Sequence, residues 1–100
     1  MAEKLIVEIE SDLEYLIPEY LDGRRQDVIS IREALQNGDF ETIRILGHNM
    51  KGTGGGYGFN RITDIGGEIQ SSALSGDAGS LEKLAGDLQD YLERVTVRYV

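Results

Sequence analysis

Asp39-Phe40-Glu41-Thr42-Ile43-Arg44-Ile45-Leu46-Gly47-His48-Asn49-Met50-Lys51-Gly52-Thr53 is the stretch on which the reading of this chain turns. Asp39 carries a short carboxylate that can accept from the first free N–H groups of a helix, so it can cap one here. Phe40, Ile43, Leu46, Met50 and, further on, Tyr57 then recur at helical spacing. With His48 set at 0° and each residue advancing about 100°, Leu46, Tyr57, Met50 and Ile43 fall at about 160°, 180°, 200° and 220°. The apolar stripe lies opposite the only histidine of the chain. Other residues fill the core side of this helix, and the imidazole is expected to face solvent.

The same periodicity extends to both sides. Upstream, Pro18 suits the first turn of a helix, and Leu21, Val28, Ile31 and Leu35 follow at helical spacing until Asn37-Gly38 stops the pattern. Downstream of Asn60, Ile62, Ile65, Ile69 and Ala73 form a third amphipathic run that ends at Ser75-Gly76-Asp77. Ser80 can cap a fourth, with Leu81, Leu84, Leu88, Tyr91 and Val95 on one stripe. Connections of a few residues make consecutive helices antiparallel neighbours, which predicts an all-α, up-and-down four-helix bundle. The ends differ. Leu5-Ile6-Val7-Glu8-Ile9 and Val95-Thr96-Val97-Arg98-Tyr99 are rich in β-branched residues and partly alternate, so they read as short strands that pair across the termini.

Composition narrows the function classes. One hundred residues make a single domain over 1–100, too small for a core plus a separate catalytic domain. No apolar run approaches the ~18 residues of a membrane span, and the N-terminus lacks the layout of a signal peptide. The absence of cysteine rules out disulfides and thiolate metal sites and fits a cytoplasmic location. A formal net charge of −8 argues against nucleic acid or an anionic membrane as partner. Met1 favours a free-standing chain, and a monomer is expected.

The exposed face of the second helix carries a pattern of its own. Lys51 at i+3 and Gly52 at i+4 lie on the side of His48, Gly55 at i+7 continues the line, and Arg44 at i−4 flanks it. An ammonium one turn from an imidazole suits an anionic group on that ring. Five glycines between Gly52 and Gly58 clear a path to the ring, although each costs about 1 kcal/mol relative to alanine inside an exposed helix. Known glycine motifs do not fit. A P-loop places its lysine after the last glycine, whereas Lys51 precedes the cluster, and no frame gives G-x-G-x-x-G. A histidine metal site lacks a second histidine or a cysteine. A hydrolase would need a nucleophile beside the ring, and Thr53 at i+5 is badly placed for that role.

His48-Asn49-Met50-Lys51-Gly52-Thr53 resembles the H-x-[LM]-K-G-[ST] signature of histidine-containing phosphotransfer (HPt) domains of phosphorelays; the likeness extends through Gly58-Phe59 and the following helix, and the predicted bundle matches the family fold over essentially all of residues 12–94. The resemblance implies that His48 is a phosphoacceptor modified on Nε2. It further implies that Lys51 steadies the phosphoryl group, that Gly52 admits the partner, and that Gln70 on the next helix orients the imidazole through Nδ1. It implies partners too: receiver domains of response regulators or hybrid histidine kinases, with Mg²⁺ on the receiver and no cofactor or kinase activity on this chain. Ile45 and Phe59 are then expected in the receiver-binding patch with Arg44, Gly52 and Gly55. The rival reading is a bundle that binds receivers without accepting phosphate. The glycine run and Gly66-Gly67, which loosens the third helix, depart from the family pattern and put local rigidity in question.

Overall fold

The computed structural model describes residues 3–100; Met1, with the expectation attached to it, lies outside them. Four helices carry the fold: α1 (Ile17–Gln36), α2 (Phe40–Thr53), α3 (Asn60–Leu74) and α4 (Ala78–Arg94). Contacts run from α1 to α2, α2 to α3, α3 to α4 and α4 back to α1, which closes the ring of an antiparallel up-and-down bundle. The expected all-α fold is the observed one.

Two connections use the same device. After α1, Asn37 ends the helix, Gly38 takes the left-handed conformation at φ 66°, and Asp39 caps α2 by accepting from the Thr42 N–H at 3.1 Å. After α3, Ser75, Gly76 (φ 66°) and Asp77 repeat the sequence of events, and Asp77 accepts from the Ser80 N–H at 3.1 Å. Only glycine adopts that φ without strain, so each turn reverses the chain within three residues. Asp77, rather than the expected Ser80, therefore caps α4. Ser80 donates its amide and hydroxyl to the Asp77 carboxylate, which accepts both.

The expected stripes form the core. Ile31, Ile43, Met50, Ile62, Ile65, Ile69, Leu81 and Leu88 have no accessible surface. Each large aliphatic side chain so buried stabilises the fold by about 1.5–3 kcal/mol before entropy is counted.

The terminal segments do pair. β1 (Leu5–Ile9) runs parallel to β2 (Val95–Tyr99), with Leu5 opposite Val95 and Ile9 opposite Tyr99. Alternation turns Leu5, Val7 and Ile9, with Val95, Val97 and Tyr99, toward the bundle, and leaves Ile6, Glu8, Thr96 and Arg98 outside. Ile9 reaches the connection between α2 and α3: a Cβ on Gly58 (φ 97°) would lie 3.2 Å from Ile9 Cγ1.

Candidate functional site

α2 and α3 pack with their backbones in direct contact beside His48. A Cβ on Gly47 would lie 2.7 Å from the Gln70 amide nitrogen, and one on Gly66 would lie 2.6 Å from that of Lys51. Real Cβ contacts are never so short, so only glycine permits this approach. Gly66 does not loosen α3, contrary to the sequence reading; it lets α2 settle onto it. Gly67 beside it lies under the stem of Lys51, whose Cδ would be 3.7 Å from a Cβ there.

His48 is exposed, as the wheel predicts. Its Nδ1 lies 3.4 Å from the carboxamide Nε2 of Gln70 on α3, while the imidazole Nε2 has no protein partner among the described residues. The two orientations of the carboxamide place either Nε2 or Oε1 against the ring. With Oε1 there, it accepts from Nδ1–H and leaves the lone pair on the imidazole Nε2.

Lys51 is the free cation of the site. Among the described residues six of the ten basic side chains are ion-paired, and Lys51 is not one of them. Arg44 is one. Its guanidinium donates to both Glu41 oxygens, at 2.9 and 2.5 Å, which turns it toward the start of α2. That hydrogen bond holds the Glu41 carboxyl below its ordinary value and raises Arg44. Lys51 also borders an open depression of about 870 Å³, lined by Arg61, Thr63, Gly67 and Lys83 among others but not by His48.

The glycine run divides into unlike parts. Gly52 and Gly56 have nothing within 4 Å of a built Cβ, and Gly55 is exposed. Gly54 is buried against Thr63, and Gly58 makes the left-handed turn. Clearance around His48 thus belongs to Gly52 and its exposed neighbours, whereas Gly54 and Gly58 serve packing and chain reversal. α2 ends at Thr53 and does not extend to Tyr57, as its apolar stripe had suggested. Gly55–Tyr57 form a separate 3₁₀ turn. Tyr57 stacks on Tyr20 of α1 with ring centroids 4.2 Å apart, and the Tyr20 hydroxyl bonds the Thr53 hydroxyl at 3.0 Å.

Of the two apolar docking residues expected, one is exposed and one is buried. Ile45 is 45% exposed. Phe59 has no accessible surface, because the positive φ of Gly58 turns the chain so that its ring enters the core, 5.9 Å from that of Tyr20. Phe59 is a core residue, not part of a docking patch. Two contributors escaped the sequence reading. Gly47 shows there only as a small residue seven positions before Gly54, and Thr63 gives no local signal.

The family model for the Hpt domain matches residues 16–96. The chain belongs to the HPt family. No curated protein and no solved structure matches it. HPt domains are phosphocarrier modules of two-component signalling that interact with receiver domains, and they are not kinases. No helix of this HPt domain, among the described residues, is long and apolar enough to cross a membrane.

Proposed function

We propose that His48 takes a phosphoryl group from the aspartyl phosphate of one receiver domain and hands it to the aspartate of another. The observation that carries this reading is an exposed imidazole engaged at Nδ1 by Gln70, with the unpaired Lys51 one turn further along α2. With the Gln70 carboxamide turned to present Oε1, Nδ1–H donates to it, and the imidazole Nε2 keeps its lone pair and attacks phosphorus in line. The Nε2–P bond forms as the P–O bond to the receiver's aspartate breaks, and the carboxylate leaves. The return step is the same exchange reversed. Lys51 donates to the phosphoryl oxygens through a charge-assisted hydrogen bond.

Mg²⁺ and the remaining catalytic groups belong, in this reading, to the receiver, so the domain supplies a nucleophile, a clamp and a docking surface. Gly52 and Gly55 keep the approach open, Ile45 offers an apolar contact, and Arg44 with Glu41 forms a polar edge. The domain works as a cytoplasmic monomer without kinase activity of its own.

Incubation with a phosphorylated receiver and Mg²⁺ is expected to label the chain with acid-labile, alkali-stable phosphate, and His48→Gln is expected to abolish the label. Receiver binding without label would point instead to an adaptor bundle. Neither binding nor label would end both readings.

A further inference from the structure

The hydrogen-bond ladder of α2 is interrupted at one rung. The Gly54 N–H still bonds the Met50 carbonyl four residues back, at 3.0 Å. The next rung would join the Gly55 N–H to the Lys51 carbonyl. Instead the Thr63 hydroxyl of α3 stands between them, accepting from the Gly55 N–H at 2.7 Å and donating to the Lys51 carbonyl at 3.3 Å. We propose that Thr63 is a positioning residue for the phosphoryl site, locking the last turn of α2 so that the Lys51 ammonium stays in register with the His48 imidazole. The inference rests on the phosphotransfer reading of His48.

Three observations support it. The bare Cα of Gly54 makes the room, since a Cβ there would lie 2.7 Å from Thr63 Oγ1. Gly67, four residues on from Thr63, leaves room beside the Lys51 stem, since a Cβ there would lie 3.7 Å from Lys51 Cδ. Gln70, seven residues on from Thr63, reaches His48. Positions seven apart share a face of a helix, and one face of α3 therefore grips both residues of the site. The grip matters because the last turn of a helix has orphan carbonyls and here runs into glycines, which do not hold a conformation by themselves. The bridge needs a group that donates and accepts at once. A serine hydroxyl does so, but the isosteric valine does not.

The test uses phosphoramidate as donor, because it needs no docking surface: its N–P bond breaks, ammonia leaves, and the His48 Nε2–P bond forms. Thr63→Val is expected to label about threefold to tenfold more slowly than wild type, the loss of one positioning hydrogen bond. Thr63→Ser is expected to stay within about twofold of wild type, since it keeps both functions of the hydroxyl. In a Lys51→Ala background Thr63→Val should add no further slowing, because the two changes act through one group. Thr63→Ala, which leaves space instead of a misplaced methyl, should follow Thr63→Val in direction, and circular dichroism selects the folded variants. A labelled wild type with folded Thr63→Val and Thr63→Ala labelling at the wild-type rate overturns this role alone. So does equal slowing with and without Lys51, which marks a merely structural effect. A wild-type chain that takes label from neither phosphoramidate nor a receiver overturns the role together with the phosphotransfer reading.

Discussion

Gly47 and Gly66 face each other across the α2–α3 contact. A Cβ on Gly47 would lie 2.8 Å from the Gly66 carbonyl oxygen, and one on Gly66 would lie 2.9 Å from that of Gly47. Neither neighbour is a side-chain end that can swing away, so alanine at either position forces the helices apart. Gly47→Ala and Gly66→Ala should each cost about 3 kcal/mol or more, at or above the upper end of ordinary overpacking. Gly23 in α1 and Gly86 in α4 are the controls, with nothing within 4 Å of a built Cβ. Alanine there should stabilise by about 0.5–1 kcal/mol through helix propensity and a less disordered unfolded chain. Urea unfolding of the four variants checks the opposite signs.

Phe59 and Ile45 should separate stability from docking. Phe59→Ala removes a fully buried ring and should cost about 3–5 kcal/mol. Phe59→Leu retains most of the packing, and its folded fraction should exchange phosphate with a receiver at the wild-type rate. Ile45→Ala should move stability by less than about 1 kcal/mol, as for most surface changes. Transfer from a receiver should nevertheless fall about threefold to tenfold, the scale of a modest interface contact. Denaturation curves and transfer kinetics on the same preparations distinguish the two effects.

A bulky residue at Gly52 should discriminate between donors. The position is exposed and open, so Gly52→Leu should leave the fold intact and add roughly 0.5–1 kcal/mol of helix propensity. Labelling by phosphoramidate should be unchanged. Transfer from a phosphorylated receiver should fall by about tenfold or more, since a side chain now stands where the partner must approach. Comparing the two rates is the measurement, and equal loss with both donors would count against Gly52 as the point of entry.

Asp39 and Asp77 tie stability to pH. The Thr42 hydroxyl and amide hold the Asp39 carboxyl below its ordinary value, and those of Ser80 do the same for Asp77. A carboxyl depressed in the folded state contributes stability above its unfolded pKa of about 3.9, and loses it as pH falls through the folded value. Asp39→Ala and Asp77→Ala should therefore lower Tm at neutral pH, and the deficit should shrink in acid below that range. Asparagine, which still accepts the cap bond but does not titrate, should keep much of the stability with a flatter pH profile. Thermal unfolding between neutral and acidic pH reads both.

What could be read from the chain and what could not divide along physical lines. Ile62, Ile65, Ile69 and Ala73 are legible because a helix buries one side, and spacing alone says which side. The exposure of His48 follows by the same arithmetic, from the side left over. The end of α2 is not legible, because a hydroxyl from Thr63, in another helix, takes over one of its rungs. Phe59 is misread since one positive φ at Gly58 decides the direction of its ring. Gly47 and Gly66 look like weak points in two separate helices, and their meaning emerges only when those helices are laid together. Asp77 and Ser80 are both good cap formers, and the choice rests on which one the chain presents after Gly76. The strand segments announce themselves by composition, but nothing in either one says that the pair is parallel.

That parallel pair has a consequence in time. Each bundle helix can dock on its sequence neighbour across a short connection, but Glu8 and Arg98, which pair across the sheet, are 90 positions apart. The entropy of bringing such distant segments together must be overcome before the sheet gives anything back, so β1 and β2 are expected to join late in folding and to part early in unfolding. Ile9, at the end of β1, lies beside Gly58 in the connection between α2 and α3. When the sheet opens, that connection is expected to lose its neighbour Ile9 while Tyr57 on Tyr20, Phe59 in the core and the Thr63 bond to Gly55 still tie it to the helices.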